Sequence, residues 1–333
     1  MKNAFNAILR LLVKAALHFY FKKIIVEGKE NIPKNCPVIL VANHQNALLD
    51  PLLLATHTRL NPWFLTRAAV FVNPLISKVL QYIRMLPVYR VRDGFSTIQQ
   101  NHQTFEATFE VLRANGTVVI FAEGSHSLTR NLRPLSKGFT RMAFGLKEKF
   151  PELLPVILPV SIGFSAHKRS GSTVRITFGK AIPVNMPNSQ SGKLTKSVEL
   201  ALKSMMVDLP DEGYTETLQT LIDQQVDLTS KTAVESFLNH EKISYPVKET
   251  SSLINKMMKI FHFPLYWIWL WMKPKVEDEV FTGTWKFLIG FALAMVWYGM
   301  LIFLSLKTSL GSWALAFLIM AWITLWNNSN PQE

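Results

Sequence analysis

Polar residues recur every three or four positions at the start of the chain. Asn3, Asn6, Arg10, Lys14, His18 and Lys22 fall on one side of a helix, against Phe5, Ile8, Leu9, Leu12, Leu17 and Phe19 on the other. The spacing predicts an amphipathic helix over residues 1–23. Its wide apolar face suits a membrane interface, although a helix packed on a core shows the same pattern. Arg10 and Lys14 interrupt the apolar stretch and no small-residue cleavage site closes it, so it does not read as a secretory signal.

Between residues 24 and 184 the pattern becomes one of short apolar runs rich in β-branched and aromatic residues. They are Val38 to Ala42, Trp63 to Leu65, Met85 to Tyr89, Thr117 to Phe121, Val156 to Phe164 and Val174 to Phe178. Helical spacing fills the gaps, most clearly from Thr97 to Arg113 and from Lys137 to Lys149. Alternation of this kind predicts an α/β domain with a buried central sheet flanked by helices, and ligands outside the strand ends.

Residues 185–256 are polar, with apolar positions at Val198, Leu202 and Met205 and again at Leu218, Leu221 and Ile222, which predicts a helical extension. Residues 257–333 form a hydrophobic region. Phe287 to Leu306 and Leu310 to Trp326 read as two spans of a transmembrane hairpin, preceded by a Pro264-containing interfacial or re-entrant run from Ile260 to Met272 with clustered Trp residues. Lys273, Lys275 and Lys286 flank the first span, so a multi-pass protein with its catalytic domain in the cytoplasm is expected.

Charge and hydropathy narrow the partners. Of the net charge of +13, nearly all resides before residue 257, where 31 Lys and Arg face 19 Asp and Glu. Such a surplus attracts any polyanion, but a chain that is 49% hydrophobic, with most of its 9 Trp near the end, fits anionic lipid rather than nucleic acid. The one cysteine, Cys36, cannot form an internal disulfide and reads as a small buried hydrophobe.

The chemistry-bearing residues sit at strand ends. Asn43-His44 directly follows the apolar run Val38 to Ala42, and an imidazole there can take a proton from an alcohol if a carboxylate holds its other nitrogen. Asp50 is a candidate for that carboxylate. Asp50-Pro51 before Leu52 also reads as a helix N-cap with Pro at the first helical position, and both roles can hold together. Arg90 and Arg92 follow another strand and suit bidentate phosphate recognition. After Phe121, Ala122-Glu123-Gly124-Ser125-His126-Ser127 supplies a carboxylate, a glycine that lets substrate approach the backbone, and hydroxyls including Ser127. Lys137 opens a helix, and Pro159 lies within a buried strand.

Taken in order, these blocks resemble the glycerophospholipid acyltransferase family over residues 35–185. That family runs His-x4-Asp, an Arg-bearing strand end, Phe-Pro-Glu-Gly and a Pro-containing strand. The corresponding residues here are His44 to Asp50, Leu86 to Arg90, Phe121-Ala122-Glu123-Gly124 and Ile157 to Val160. The resemblance implies an acyltransferase-type central sheet, His44 as base with Asp50 as its partner, an acceptor site shaped by Arg90 and Glu123-Gly124, and Pro159 beside the acyl donor. Two departures stand out. Five residues separate His44 from Asp50, so the loop between them must bulge, and Ser125-His126-Ser127 replaces the usual Thr-Arg-Ser. Lys137, Arg130 and Arg141 are the candidates to replace the missing arginine. The His-Gln-Asn-Ala-Leu-Leu-Asp and Glu-Gly-x-His forms are closer to the glycerol-3-phosphate and dihydroxyacetone-phosphate branch than to the lysophosphatidate one.

The expected reaction is direct acyl transfer from acyl-coenzyme A or acyl carrier protein to a hydroxyl of a glycerol-phosphate-type acceptor in phospholipid synthesis. No metal or organic cofactor is expected, because the histidines show no ligand spacing. The partners expected are membrane lipids, the acyl carrier and the acceptor. A non-catalytic protein that binds anionic lipid would not need the base, and an acyl-thioester hydrolase would not need the arginines.

Overall fold

The computed structural model describes residues 2–89, 97–239, 252–309 and 311–328. In chain order the strands are β1 (Lys23–Glu27), β2 (Val38–Ala42), β3 (Trp63–Arg67), β4 (Met85–Val88), β5 (Thr117–Phe121), β6 (Val156–Phe164), β7 (Thr173–Phe178) and β8 (Ile182–Pro183). They make one sheet in the order β1-β7-β6-β2-β5-β3-β4, with β8 added to β6. All pairings are parallel except those of β6 with β7 and β8.

Burial follows from position in the sheet. β2 lies between β5 and β6, and each of its residues is buried, which is why its sequence is an unbroken apolar run. β7 alternates half-buried and buried positions, as a strand with one covered face does. β1, with only Ile24, Ile25 and Val26 between charged ends, is an edge strand too short to stand out in the sequence.

Helices α1 (Lys2–Tyr20), α2 (Leu49–His57), α3 (Pro74–Tyr82), α4 (Thr97–Arg113), α5 (Gly138–Lys149) and α6 (Ser191–Met205) clothe the domain. On one face of the sheet Leu17 of α1 and Leu49, Leu53 and Leu54 of α2 pack over Leu40 and Val160. On the other, Phe109 of α4, Phe139 and Leu146 of α5, and Val198 and Leu202 of α6 pack over Ile39 and Val41. The first helix predicted for the extension after residue 184 is therefore a layer of the sheet domain itself. Helices α7 (Tyr214–Asp223) and α8 (Lys231–Leu238) close a small separate cluster around Leu221 and Leu228.

Arg130 joins that cluster to the sheet. It is fully buried, and its guanidinium donates to the carbonyls of Phe164, Ser165 (3.1 Å) and Leu228 (3.5 Å), while its own N–H donates to the Tyr214 hydroxyl at 2.9 Å. Arg130→Met removes these side-chain donors from buried carbonyls, and the expected loss is about 2–4 kcal/mol of stability. Denaturant titration of the two proteins in the same detergent checks it.

Helix α1 turns Asn6, Val13, Leu17 and Tyr20 inward. Asn6 is buried and donates to the carbonyl of Tyr82 at 2.9 Å, and His18 stacks on His57 with ring centroids 5.4 Å apart, while Ile8, Leu11 and Leu12 face outward. Burial, together with the cationic charge of His18, Lys14 and Lys29, brings the His57 pKa down to about 4, so that ring packs uncharged at neutral pH.

The C-terminal region consists of α9 (Ser252–Phe261), α10 (Phe263–Met272), α11 (Phe281–Lys307) and α12 (Gly311–Asn327). Only α11, at 27 residues, is long and apolar enough among the described residues to cross a membrane. Of the two expected spans only the first is supported: α12, which pairs with α11 as a hairpin, has 17 residues, about 26 Å of helix against a hydrocarbon core of about 30 Å. Helix α11 also begins six residues before the predicted span. Its first turns are buried on the sheet domain, where Gly283 has no room for a Cβ beside the His167 carbonyl and Asn46. The end of α12 returns to the domain, where Lys22 Nζ donates to the Trp326 carbonyl at 2.7 Å.

Candidate active site

Strand β2 leaves the sheet at Asn43, whose side-chain amide takes over the backbone pairing. Its Nδ2 donates to the Ile162 carbonyl at 2.9 Å and its Oδ1 accepts the Ile162 N–H at 2.7 Å. The next residue, His44, is thereby fixed at the strand end. Its ring stacks on Phe121 at the end of neighbouring β5, with centroids 4.0 Å apart, and its side chain keeps 16% exposure.

Asp50 reaches His44 across the five-residue spacer. Ala47, at φ 31°, takes up the extra residue in the left-handed region, and the chain turns so that Nδ1 of His44 lies 2.7 Å from Asp50 Oδ2. The same oxygen accepts the backbone N–H groups of Gln45 and Asn46, both at 2.8 Å. A carboxylate only accepts, so His44 donates from Nδ1 and its lone pair is on Nε2. Asp50 is fully buried within the first turn of α2, where two N–H groups and the helix N-terminus favour its charge. The N-cap reading of Asp50 is corrected: α2 starts at Leu49, one residue earlier, and the carboxylate serves the preceding loop instead.

Glu123 locks the loops together. One oxygen accepts the His44 backbone N–H at 3.0 Å and the other accepts Arg133 Nε at 2.7 Å. Burial raises the Glu123 pKa, against the opposing pull of Arg133 and the His44 N–H. Gly124 adopts φ 75°, a left-handed turn that an L side chain would strain, and the Ser127 N–H returns to the His44 carbonyl at 3.1 Å. Arg133 also donates to the Ser125 hydroxyl at 2.7 Å and to the Ser125 carbonyl.

His126 stands edge-on to His44 at 5.7 Å between centroids and to Phe281 at 5.0 Å, with Nε2 3.4 Å from Asp278 Oδ2. Burial and the neighbouring His44 lower its pKa, opposed by Asp278. The segment leading into α11 thus forms one wall of the site.

Of the residues singled out from sequence, His44, Asp50, Glu123, Gly124 and Ser127 come together. Ser127 shares its hydroxyl with Thr129 at 2.8 Å. Lys137 is exposed at the start of α5, which is tied to the end of β5 by the Ser136 N–H on the Ala122 carbonyl at 2.7 Å. Pro159 is buried in β6 opposite Val41, near Gly179 and Met205, inside the sheet rather than at the edge that carries His44. Arg90 and Arg92 lie outside the described residues; β4 ends at Val88, with Asn101 holding both the N–H and the carbonyl of Tyr89. Arg130 is corrected as a replacement for the family arginine, since it points into the interior, and Arg141 lies on the exposed face of α5. Arg133 meets Glu123 instead, one of two arginines in that loop with no local pattern to single it out. Asp278 and Phe281 were equally invisible, being some 150 residues away in sequence.

A buried carboxylate holding a histidine at the carboxyl edge of a largely parallel sheet is a geometry suited to base catalysis. The family model for acyltransferases matches residues 23–163. The 1-acyl-sn-glycerol-3-phosphate acyltransferase of Borreliella burgdorferi is 30% identical over 151 residues, 45% of this chain and 56% of that protein. A probable 1-acyl-sn-glycerol-3-phosphate acyltransferase of Mycoplasma genitalium is 25% identical over 202 residues, 56% of this chain and 72% of that protein. The glycerol-3-phosphate O-acyltransferase 2 of Saccharomyces cerevisiae is 26% identical over 120 residues, covering 33% of this chain and 16% of its own length. Among solved structures, the 1-acyl-sn-glycerophosphate acyltransferase of Thermotoga maritima superposes with a TM-score of 0.46 at 22% identity, over 65% of this chain and 81% of that one.

Proposed function

We propose that this protein is a membrane-bound O-acyltransferase that moves a fatty acyl group from coenzyme A or acyl carrier protein to a hydroxyl of a glycerol-phosphate-type acceptor. The observation that carries the reading is the 2.7 Å contact of His44 Nδ1 with buried Asp50, which leaves Nε2 basic at the sheet edge. Nε2 takes the hydroxyl proton as the oxygen attacks the thioester carbonyl; the C–S bond then breaks and the thiolate leaves, to be reprotonated from the imidazolium or solvent. Asp50 stabilises the imidazolium while it exists. Arg133 and the segment around Gly124, together with Arg90 and Arg92, are the candidates to receive the acceptor phosphate.

Glycerol 3-phosphate, dihydroxyacetone phosphate and lysophosphatidate share the hydroxyl and phosphate this site suits. The names of the relatives support both the glycerol-3-phosphate and the 1-acyl-glycerol-3-phosphate choices. Membrane attachment is supported by α11 and by the outward apolar residues Ile8 and Leu11 of α1 and Leu75 and Val79 of α3. Lys273, Lys275 and Lys286, which flank the start of the apolar span, support a cytoplasmic side for the basic domain.

The test is label transfer from radiolabelled acyl-coenzyme A and acyl carrier protein to each of the three acceptors by the purified full chain. Label in one acceptor is the expected outcome. Label only in free fatty acid, whatever the acceptor, would make the protein a hydrolase, and none from a folded sample would make it a lipid-binding protein.

A further inference from the structure

The C-terminal helices do not pack into a solid bundle. Between α1, α9, α10, α11 and α12 lies a groove of about 750 Å³, within the range of small-molecule sites. Its walls are apolar, from Ala16 and Phe19 on α1 to Phe291 and Met295 on α11. One end, against the sheet domain, carries Lys286 and Arg169. Lys286 donates to the Lys168 carbonyl at 2.6 Å and lies over the Trp269 ring at 5.0 Å. Arg169, Lys273, Lys168 and Lys259 are all close enough for their charges to act on it.

Among the described residues, no carboxylate lines the groove. Of the acidic residues that precede α11, Glu279 pairs with Lys168 at 2.6 Å and Asp278 faces His126, and neither they nor Glu277 lines the groove. Crowded like charges beside a low-dielectric slot favour an anion that brings its own apolar tail. The far end of the groove reaches Tyr298, about 18 Å along α11 from Lys286 at 1.5 Å per residue. That depth matches the ~15 Å hydrocarbon half of a bilayer, so a headgroup at Lys286 and a chain lying towards Tyr298 fit one leaflet.

We propose that this groove is a lipid site that holds one anionic phospholipid, with its phosphate on Lys286 and Arg169 and an acyl chain along α11. None of His44, Asp50, Glu123 or Arg133 lines it, so the site is separate from the one assigned to transfer chemistry. It does rest on the reading that α11 lies in a membrane. Its position gives it consequence: Gly283 and Thr284, a single turn before Phe287, touch the loop that carries His44, where the Leu48 N–H donates to Thr284 Oγ1 at 3.3 Å. The lipid would thus seat the catalytic edge at an anionic surface.

Gly290 supplies the test, because it lines the groove and a Cβ there meets nothing within 4 Å. The full chain is placed in phosphatidylcholine nanodiscs doped with a photoactivatable phosphatidylglycerol or, separately, with a photoactivatable phosphatidylcholine. Labelled peptides are then mapped. The expected result is several-fold stronger labelling by phosphatidylglycerol, concentrated on residues 287–298. Gly290→Phe should lose at least tenfold of it by filling the groove, and Lys286→Gln with Arg169→Gln should reduce phosphatidylglycerol labelling to the phosphatidylcholine level. Equal labelling by both probes in the wild type, or undiminished labelling in both variants, would overturn the proposal; so would crosslinks between α11 of two copies in place of lipid. His44→Ala should label as wild type does, so a failure of the transfer reading and a failure of the lipid site give different results. Nanodisc incorporation, scored in the same samples, reads the membrane assumption separately.

Discussion

His44→Ala is expected to lower kcat by about 10²–10⁴-fold while leaving the fold and substrate KM nearly unchanged. The size follows from the role. An alcohol is a poor nucleophile at neutral pH, and without a base the proton must go to water as the C–O bond forms. The fold should survive because the loop has other anchors: Asp50 Oδ2 retains the Gln45 and Asn46 N–H groups, and Glu123 holds the backbone N–H of residue 44 whatever its side chain. Initial rates at saturating donor, with thermal unfolding on the same samples, separate chemistry from stability. A variant with wild-type kcat would remove His44 from the mechanism.

Asp50→Asn is expected to be nearly as damaging, with a loss of about 10³–10⁴-fold in kcat, for a different reason. Three donors converge on Oδ2: the His44 Nδ1–H and two backbone N–H groups. An asparagine that keeps its oxygen at the Oδ2 position still accepts from all three donors, but it carries no charge to stabilise the imidazolium and buries its NH2 where Asp50 Oδ1 has no partner among the described residues. An asparagine flipped the other way sets its NH2 against the two backbone N–H groups, at about 1–3 kcal/mol of stability, and against the imidazole. The ring must then accept at Nδ1 and carry its proton on Nε2, the nitrogen that should be the base. Either way activity falls. Asp50→Glu should not restore it, because the fully buried position has no room for another methylene. Rates and denaturant midpoints for both variants tell the two asparagine orientations apart, and activity of Asp50→Asn within tenfold of wild type would limit the carboxylate to a structural part.

Much of this was written locally along the chain. β2, β5 and β6 are continuous apolar runs because they are central parallel strands covered on both faces, and a run of that kind identifies itself without knowledge of its neighbours. His44 and Glu123 were legible for the same reason: each comes two residues past the end of such a strand, where a side chain emerges at the sheet edge. Asp50 was legible as a partner, but its reach was not, since a left-handed Ala47 is a property of the closed loop and not of its composition.

The rest depended on pairs distant in sequence. Arg133 and Arg130 are three residues apart in one loop, yet one meets Glu123 and the other enters the interior, and only the packing of α7 and α8 against β6 sorts them. Asp278 and Gly283 bring the membrane region onto the catalytic loop, a contact that no local pattern encodes. Hydropathy marked the apolar helices but not that the first turns of α11 belong to the domain core, because an apolar residue facing protein and one facing lipid look alike in a sequence. The sequence alone determined the sheet, the histidine at its edge and the basic, apolar-rich character of the chain. Tertiary structure alone decided which cation meets Glu123, how five residues span from base to carboxylate, and where the membrane helices meet the site, because each of these is a contact between segments whose separation the chain itself does not constrain.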